Sequence, residues 1–324
     1  MQTQKFRIDA DLAGRRIDIV VSEISGLTRS QVHKLIEDGR LTVNSENTKP
    51  NYKARSADTV RITFPAEQQE LCPEDLPVEV LFLDDYLIVV NKPPDMVVYP
   101  AAGHSSGTLM NAVAFHAKEL ATVGAPLRPG VVHRLDRDTS GVMVVALDDR
   151  AYYDLVEQFR NRTIERRYRA IVFGNLKDNS GTISSRIGRS SSDRKKMSTR
   201  SRKGKEAVTG WKVVERFRTA TVIEARLGTG RTHQIRVHFA AIGHPVLGDR
   251  TYGSKTSLEV GKEKIPFPRQ MLHAELLGFT HPITGGHLAF SAPLPEDMES
   301  AICLLRERCA GKMGTREGDS LNRE

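Results

Sequence analysis

A chain of 324 residues with 39% hydrophobic and 27% charged side chains has ordinary globular composition and length for about two domains. Three scattered cysteines (Cys72, Cys303 and Cys309) suit neither a disulfide framework nor a zinc cage, and no apolar run reaches membrane-spanning length. The N-terminus lacks an apolar signal core, so the expectation is a reduced, cytoplasmic protein with no membrane segment. The net charge of +8 and pI near 9.4 admit a polyanionic partner. That charge is focused: Ile183 to Lys205 holds nine Lys or Arg and one acid, Asp193, which leaves the remainder near neutral. Such a segment is either a nucleic-acid footprint or a solvated basic loop.

Residues 1–64 form a small basic module. Ile17-Asp-Ile-Val-Val21 and Ser30 to Ile36 place apolar residues three and four apart, as two short helices do. Thr28 or Ser30 is a candidate cap for the second, with Gly39 at its C-terminal end. Leu41-Thr-Val43 and Val60-Arg-Ile62 alternate like strands. With Arg29, Lys34 and Arg40 nearby, the module resembles the small RNA-binding domain first seen in ribosomal protein S-four. That family usually has Asn-Gly and Gly-Asp where this chain has Asn44-Ser45 and Ala57-Asp58. Residues 65–75 are acidic, Pro-bearing and aperiodic, and predict a linker.

The second domain, 76–306, opens with strands at Leu81–Leu83 and Leu87–Val90, broken by Asn91-Lys-Pro-Pro94. A helix is predicted from Leu109 to His116, a buried strand from Val142 to Leu147, and a helix from Tyr152 to Phe159. Strands follow at Tyr168–Gly174, Ala207–Val214 and Ala220–Leu227, flanking the basic segment, which is expected to be a loop. A helix is predicted from Arg231 to Ile242, then strands Leu272–Phe279 and His287–Ala292, a last helix near Pro295–Arg306 and a disordered tail, 307–324. Strands interrupted by helices without a repeated βαβ period point to an α+β fold.

Gly130-Val-Val-His-Arg-Leu-Asp136 leads through the turn residues Asp138-Thr-Ser-Gly141 into the Val142 strand. Asp136 is thus either a reactive carboxylate at the mouth of a rigid strand or one half of an ion pair with Arg134 or Arg137. Gly228-Thr-Gly-Arg-Thr-His-Gln-Ile-Arg-Val-His238 puts glycines and Arg231 at a helix start. There a cation is disfavoured by the helix dipole unless a carboxylate such as Asp136 offsets it. His233 and His238 point too far apart to share a metal, and the third glycine and acid of a dinucleotide fingerprint are missing, so neither metal nor cofactor is expected.

His133-Arg-Leu-Asp136, Thr139-Ser-Gly141, Asn91-Lys-Pro, Tyr168-x-Ala170, Gly230-Arg-Thr-His-Gln-Ile-Arg236, and Leu272-His-Ala274 with His281-Pro282 occur together and in order. In this the chain resembles the RluA/RluD-type RNA pseudouridine synthases, most closely the RluD type. Asp193-Arg-Lys-Lys-Met197 with Gly204-Lys205 also fits that pattern, whereas Asp95 and Tyr99 stand where the family usually has Gly and His. The resemblance implies a largely antiparallel mixed sheet with a catalytic cleft, preceded by the small α/β RNA-binding domain. It implies Asp136 as catalytic carboxylate (sugar nucleophile or sugar-proton base), Tyr168 stacking on uracil and assisting proton removal, and Arg231 paired with Asp136. Arg134 would fill the space left by the flipped base, and Arg194, Lys195 and Lys196 would contact RNA. His133 is expected to be structural. The implied activity is isomerisation of uridines in large-subunit rRNA, free or in a pre-ribosomal particle, by a monomer without cofactor. The alternatives are a tRNA-modifying member of the family and a non-catalytic RNA-binding or ribosome-assembly factor.

Overall fold

The computed structural model describes residues 3–63, 71–101, 104–191, 193, 196–201, 203–253, 256–260 and 263–310, in two units divided between Glu70 and Leu71. The first contains β1 (Thr3–Arg7), α1 (Ile17–Ser25), α2 (Arg29–Glu37), β2 (Leu41–Val43), β3 (Glu46–Asn47) and β4 (Thr59–Thr63). Its antiparallel sheet runs β1-β4-β2-β3, and Val20, Val21, Val32, Ile36, Leu41, Val60 and Ile62 close one core. Thr28 caps α2 in a reciprocal box with Gln31, and Gly39, at φ 67°, follows its last turn. β1, whose residues are mostly exposed, carries no apolar alternation and was not predicted.

The second unit continues with β5 (Glu79–Leu83), β6 (Leu87–Lys92), α3 (Leu109–His116), β7 (Ser140–Ala146), α4 (Asp149–Asn161), β8 (Glu165–Phe173), β9 (Ser180–Arg189), β10 (Met197–Ser198), β11 (Lys205–Arg216) and β12 (Ala220–Leu227). It ends with α5 (Gln234–Ala241), β13 (Ser257–Val260), β14 (Glu263–Pro266), β15 (Leu272–Thr280), β16 (His287–Ser291) and α6 (Glu296–Ala310). Ten strands form one sheet in the order β10-β9-β11-β12-β8-β15-β7-β6-β5, with β16 beside β15. Among the described residues its pairings are antiparallel except β7 with β15, so the fold is α+β. Strand β7 is buried along its whole length because both faces are covered. Met143 and Val145 pack with α3 and α5, whereas Val142 and Val144 pack with Ala151 and Leu155 of α4. Among the described residues no helix is long and apolar enough to cross a membrane.

Two expectations need correction. The basic segment is not simply a loop: β9 and β11 pair from Ser180 with Lys212 to Ile187 with Lys205, forming two arms of a hairpin. Ile183, Ser185 and Ile187 alternate onto one face, a period-two signal masked by the charges. The expected linker also ends early. Residues 64–70 lie outside the described residues, but Asn111 Nδ2 donates to Cys72 O (2.7 Å) and Gly107 N–H to the Glu74 carboxylate (3.2 Å), which docks this stretch onto the α3 cap. Of the expected tail, 307–310 continue α6 and the rest lies outside the described residues.

Candidate active site

The segment carrying Asp136 is pinned on both sides. Lys92, fully buried at the end of β6, donates to Pro93 O (2.7 Å), Met96 O (2.9 Å) and Arg137 O (2.9 Å). Burial pulls its pKa down to about 7, while three carbonyls match the three protons of the ammonium form. Asp95 forms an ion pair with Arg137 and sits at φ 61°, the left-handed backbone that the family's usual glycine adopts freely and Asp tolerates. Downstream, Arg269 Nη1 donates to Asp138 O (2.9 Å), Gln270 Nε2 to Thr139 Oγ1 (2.7 Å), and Ser140 Oγ meets His273 Nδ1 (2.9 Å). Gly141, at φ 117°, lies so close to Ala274 that a Cβ would come within 2.2 Å of its carbonyl oxygen. His133 Nε2 accepts from Val144 N–H (3.1 Å), and burial, helped by nearby Arg166, pushes its pKa down to about 3; the ring is a neutral structural acceptor.

Asp136 opens onto a cavity of 610 Å³ that Tyr99, Arg134, Arg166, Tyr168, Arg231 and His233 help to line. Its cationic partner is Arg236, not Arg231. Arg236 Nη1 donates to Asp136 Oδ2 (2.8 Å), while Nε and Nη2 hold both oxygens of Asp249 (2.7 and 2.9 Å). Burial opposes the charge of Arg236, but bonds to Asp249 and attraction to both carboxylates outweigh it and raise its pKa. Arg231 instead sends Nε to Glu206 O (3.1 Å). The reason is the helix start. His233 takes a left-handed conformation (φ 56°), so α5 begins only at Gln234, whose Oε1 accepts from Arg231 N–H and Thr229 Oγ1. Arg231 thus stays in the lead-in loop and Arg236 falls on the buried face.

Tyr168, on β8, is 8% exposed. Its pKa is raised, first by burial, with nearby Arg166 acting the other way, so the side chain is a neutral phenol. Arg134 is exposed at the mouth, its Nη1 3.5 Å from Tyr99 Oη. The other expected RNA contacts belong to the first unit and to the basic segment. Arg29 is held by buried Asp18 (2.7 Å), which also binds Arg16 and His33; Lys34 is exposed and Arg40 half-buried. Lys196 lies 3.9 Å from Asp193, and Arg194 and Lys195 are outside the described residues. Sequence reasoning missed Lys92, Arg236, Asp249 and Tyr252. The available signal for Arg236 was a cation between Ile235 and Val237 on an apolar helix, which requires a buried acid.

A family model described as RNA pseudouridylate synthase matches residues 86–241, spanning Asp136, β7 and α5, and a model of the S4 domain matches residues 15–60. A Bacillus subtilis protein named "Uncharacterized RNA pseudouridine synthase YlyB" is 44% identical over 294 residues, 90% of this chain and 94% of its own. The chain belongs to the RNA pseudouridylate synthase family. A Zymomonas mobilis relative named "Ribosomal large subunit pseudouridine synthase D" is 43% identical over 314 residues, 94% of this chain and 98% of its own. The structure titled "Human RNA Pseudouridylate Synthase Domain Containing 4" superposes with a TM-score of 0.55 at 26% identity, covering 70% of this chain and 93% of that one. Family membership makes the chain an isomerase: the N1–C1′ bond of uridine is exchanged for a C5–C1′ bond.

Proposed function

We propose that this protein converts particular uridines of large-subunit rRNA to pseudouridine, as a cytoplasmic monomer, with Asp136 as the catalytic carboxylate. The observation that carries the reading is a carboxylate held by buried Arg236 at 2.8 Å, facing a cavity shared with Tyr168. The rRNA target rests on the names of full-length relatives at 43% and 44% identity. The two-unit organisation supports it, since a tethered RNA-binding module raises the local concentration of RNA.

The target base leaves its stack at a cost of about a few kcal/mol and enters the cavity. Asp136 acts on the sugar, as nucleophile at C1′ or as base toward a sugar proton, while the N1–C1′ bond breaks. The uracil turns, C5 bonds to C1′, the C5 proton leaves and N1 gains one. Tyr168 offers the ring surface against which uracil lies. Being neutral, its hydroxyl takes the C5 proton only by handing on its own. Arg134 enters the vacated stack, a role supported by its exposure beside Tyr99 and by its planar guanidinium. Arg231 and the exposed Arg128, Arg160 and Arg162 at the cavity contact phosphates, with the basic hairpin and Lys34 and Arg40 adding to the footprint. RNA affinity therefore falls steeply with salt.

The test is pseudouridine mapping on large-subunit rRNA, free and in assembling particles, with the intact protein and Asp136→Asn. The expected result is new pseudouridine with the former and none with the latter, at equal RNA affinity. Equal modification by both overturns the role of Asp136, and modification of tRNA alone overturns the rRNA target.

A further inference from the structure

Asp136 has a second neighbour besides Arg236: His233 Nε2 lies 3.6 Å from Oδ1, the oxygen that Arg236 does not hold. The other ring nitrogen, Nδ1, is 2.7 Å from the hydroxyl of Tyr252. That hydroxyl also accepts from Met197 N–H at 2.9 Å, a backbone group in β10 of the basic hairpin. Tyr252 in turn lies under Arg236, whose guanidinium carbon is 5.2 Å from the ring centre, and its N–H donates to Asp249 (3.1 Å), the acid that anchors Arg236. One tyrosine therefore touches the supports of both carboxylate oxygens.

The tautomer of His233 follows from these contacts. The Tyr252 hydroxyl has Met197 N–H as a donor and no acceptor among the described residues except His233 Nδ1, so its proton goes there. The opposite tautomer would also turn the Nε2 lone pair toward the Asp136 carboxylate, which is repulsive. Burial lowers the pKa of His233, so the neutral ring with Nε2–H facing Asp136 is the resting form. At 3.6 Å the contact is longer than a hydrogen bond, and such contacts often tighten when substrate binds.

We propose that Tyr252 is a positioning residue: it fixes His233 as an Nε2–H donor to Asp136 Oδ1, while Arg236 holds Oδ2, so that the carboxylate cannot rotate away from the sugar. The Met197 contact makes the seating of the basic hairpin part of this device. The inference rests on Asp136 being the catalytic carboxylate.

Two measurements test it on the full chain. Two-bond proton–nitrogen correlation spectra of ¹⁵N-histidine protein report the tautomer without reference to activity. The expected pattern for His233 is protonated Nε2 with acceptor-type Nδ1, shifting toward a mixture in Tyr252→Phe. Protonated Nδ1 in the unaltered protein overturns the proposal. Single-turnover rates on rRNA are expected to fall about 10- to 100-fold in Tyr252→Phe at unchanged RNA affinity, as for a reacting group slightly misplaced. His233→Gln, whose amide N–H₂ can stand in for Nε2–H, retains more rate than His233→Leu. A Tyr252→Phe rate within twofold of the unaltered protein, or equal rates for Gln and Leu, overturns it. Asp136→Asn run alongside separates the two readings: if that variant is active, the assignment of Asp136 fails, whatever the tautomer.

Discussion

Arg236 and Arg231 stand five residues apart in one motif, and replacing each separately distinguishes the residue that holds Asp136 from one that meets solvent and RNA. Arg236→Lys keeps the charge but not the fork. A single ammonium can reach Asp249 or Asp136 but cannot reproduce the three bonds at 2.7, 2.9 and 2.8 Å. Losing one or two charge-assisted hydrogen bonds, at roughly 1.5–3 kcal/mol each, costs about 3 kcal/mol overall, because Asp249 keeps the N–H groups of Thr251 and Tyr252. For a unit of this size that lowers Tm by roughly 6–12 °C. Truncation to alanine would leave a fully buried Asp249 carboxylate unpaired and cost about 3–5 kcal/mol. Arg231→Ala removes one bond to Glu206 O and should change stability by less than about 0.5 kcal/mol. In single-turnover pseudouridine formation at saturating protein, Arg236→Lys should lose about 100-fold or more through misplacement of Asp136. Arg231→Ala should chiefly weaken RNA affinity and flatten its salt dependence. Near-normal rates in Arg236→Lys with loss of the chemical step in Arg231→Ala would refute this account of the site.

Two further outcomes follow from the backbone and the buried histidines. Ser45 and Ala57 occupy left-handed backbone (φ 71° and 68°), at roughly 1–2 kcal/mol each, so Ser45→Gly and Ala57→Gly should each stabilise the N-terminal unit. Glycine's extra freedom when unfolded takes back about 0.4–1 kcal/mol, leaving a net gain of about 0.5–1 kcal/mol, read as slower amide exchange at Val60 and Ile62; faster exchange contradicts it. His133 and His238 are held neutral by burial, with pKa values of about 3 and about 4, whereas both titrate near 6.5 when unfolded. Between those limits the unfolded chain binds more protons, so stability is lost as pH falls from about 6.5 toward 4 for His238 and toward 3 for His133, and is unaffected by these groups above about 6.5. At about 1.4 kcal/mol per pH decade, His238 alone contributes up to about 3 kcal/mol, and His238→Gln should flatten the fall of Tm with acid. An unchanged slope would remove His238 from the acid response.

Elements with strong local patterns were legible in the sequence. The β7 core strand, the α3 helix after Thr108 and a cap for α2 at Thr28 or Ser30 each announce themselves within ten residues or fewer, and the structure settles that cap on Thr28. What escaped was set by contacts far apart in sequence. β1 is recognisable only by pairing with β4, some sixty residues away, because its own side chains are exposed. Lys92 looked like part of a Pro-bearing breaker, yet its ammonium ties the Asn91-Lys-Pro turn to Arg137 O, forty-five residues on. The sequence singled out Asp136 and paired it with Arg231, whereas the structure pairs it with Arg236, for a specific reason. An Arg at a helix start and an Arg one turn inside it look alike in sequence, and only the left-handed His233 decides where the helix begins.

That same residue explains why the motif is so dense. A left-handed, non-glycine backbone is unfavourable, and it persists where surrounding contacts over-determine it. Here the ring of His233 bonds Tyr252, Gln234 gathers the lead-in loop, and Arg236 bridges Asp249 to Asp136. Holding the backbone in that form delays the helix, which puts Arg236 against one oxygen of Asp136 and His233 near the other. A regular helix from Arg231 onward would give up that arrangement. The strain at His233 and the orientation of the carboxylate are thus two aspects of one local structure, and substitutions that relieve the first are expected to loosen the second.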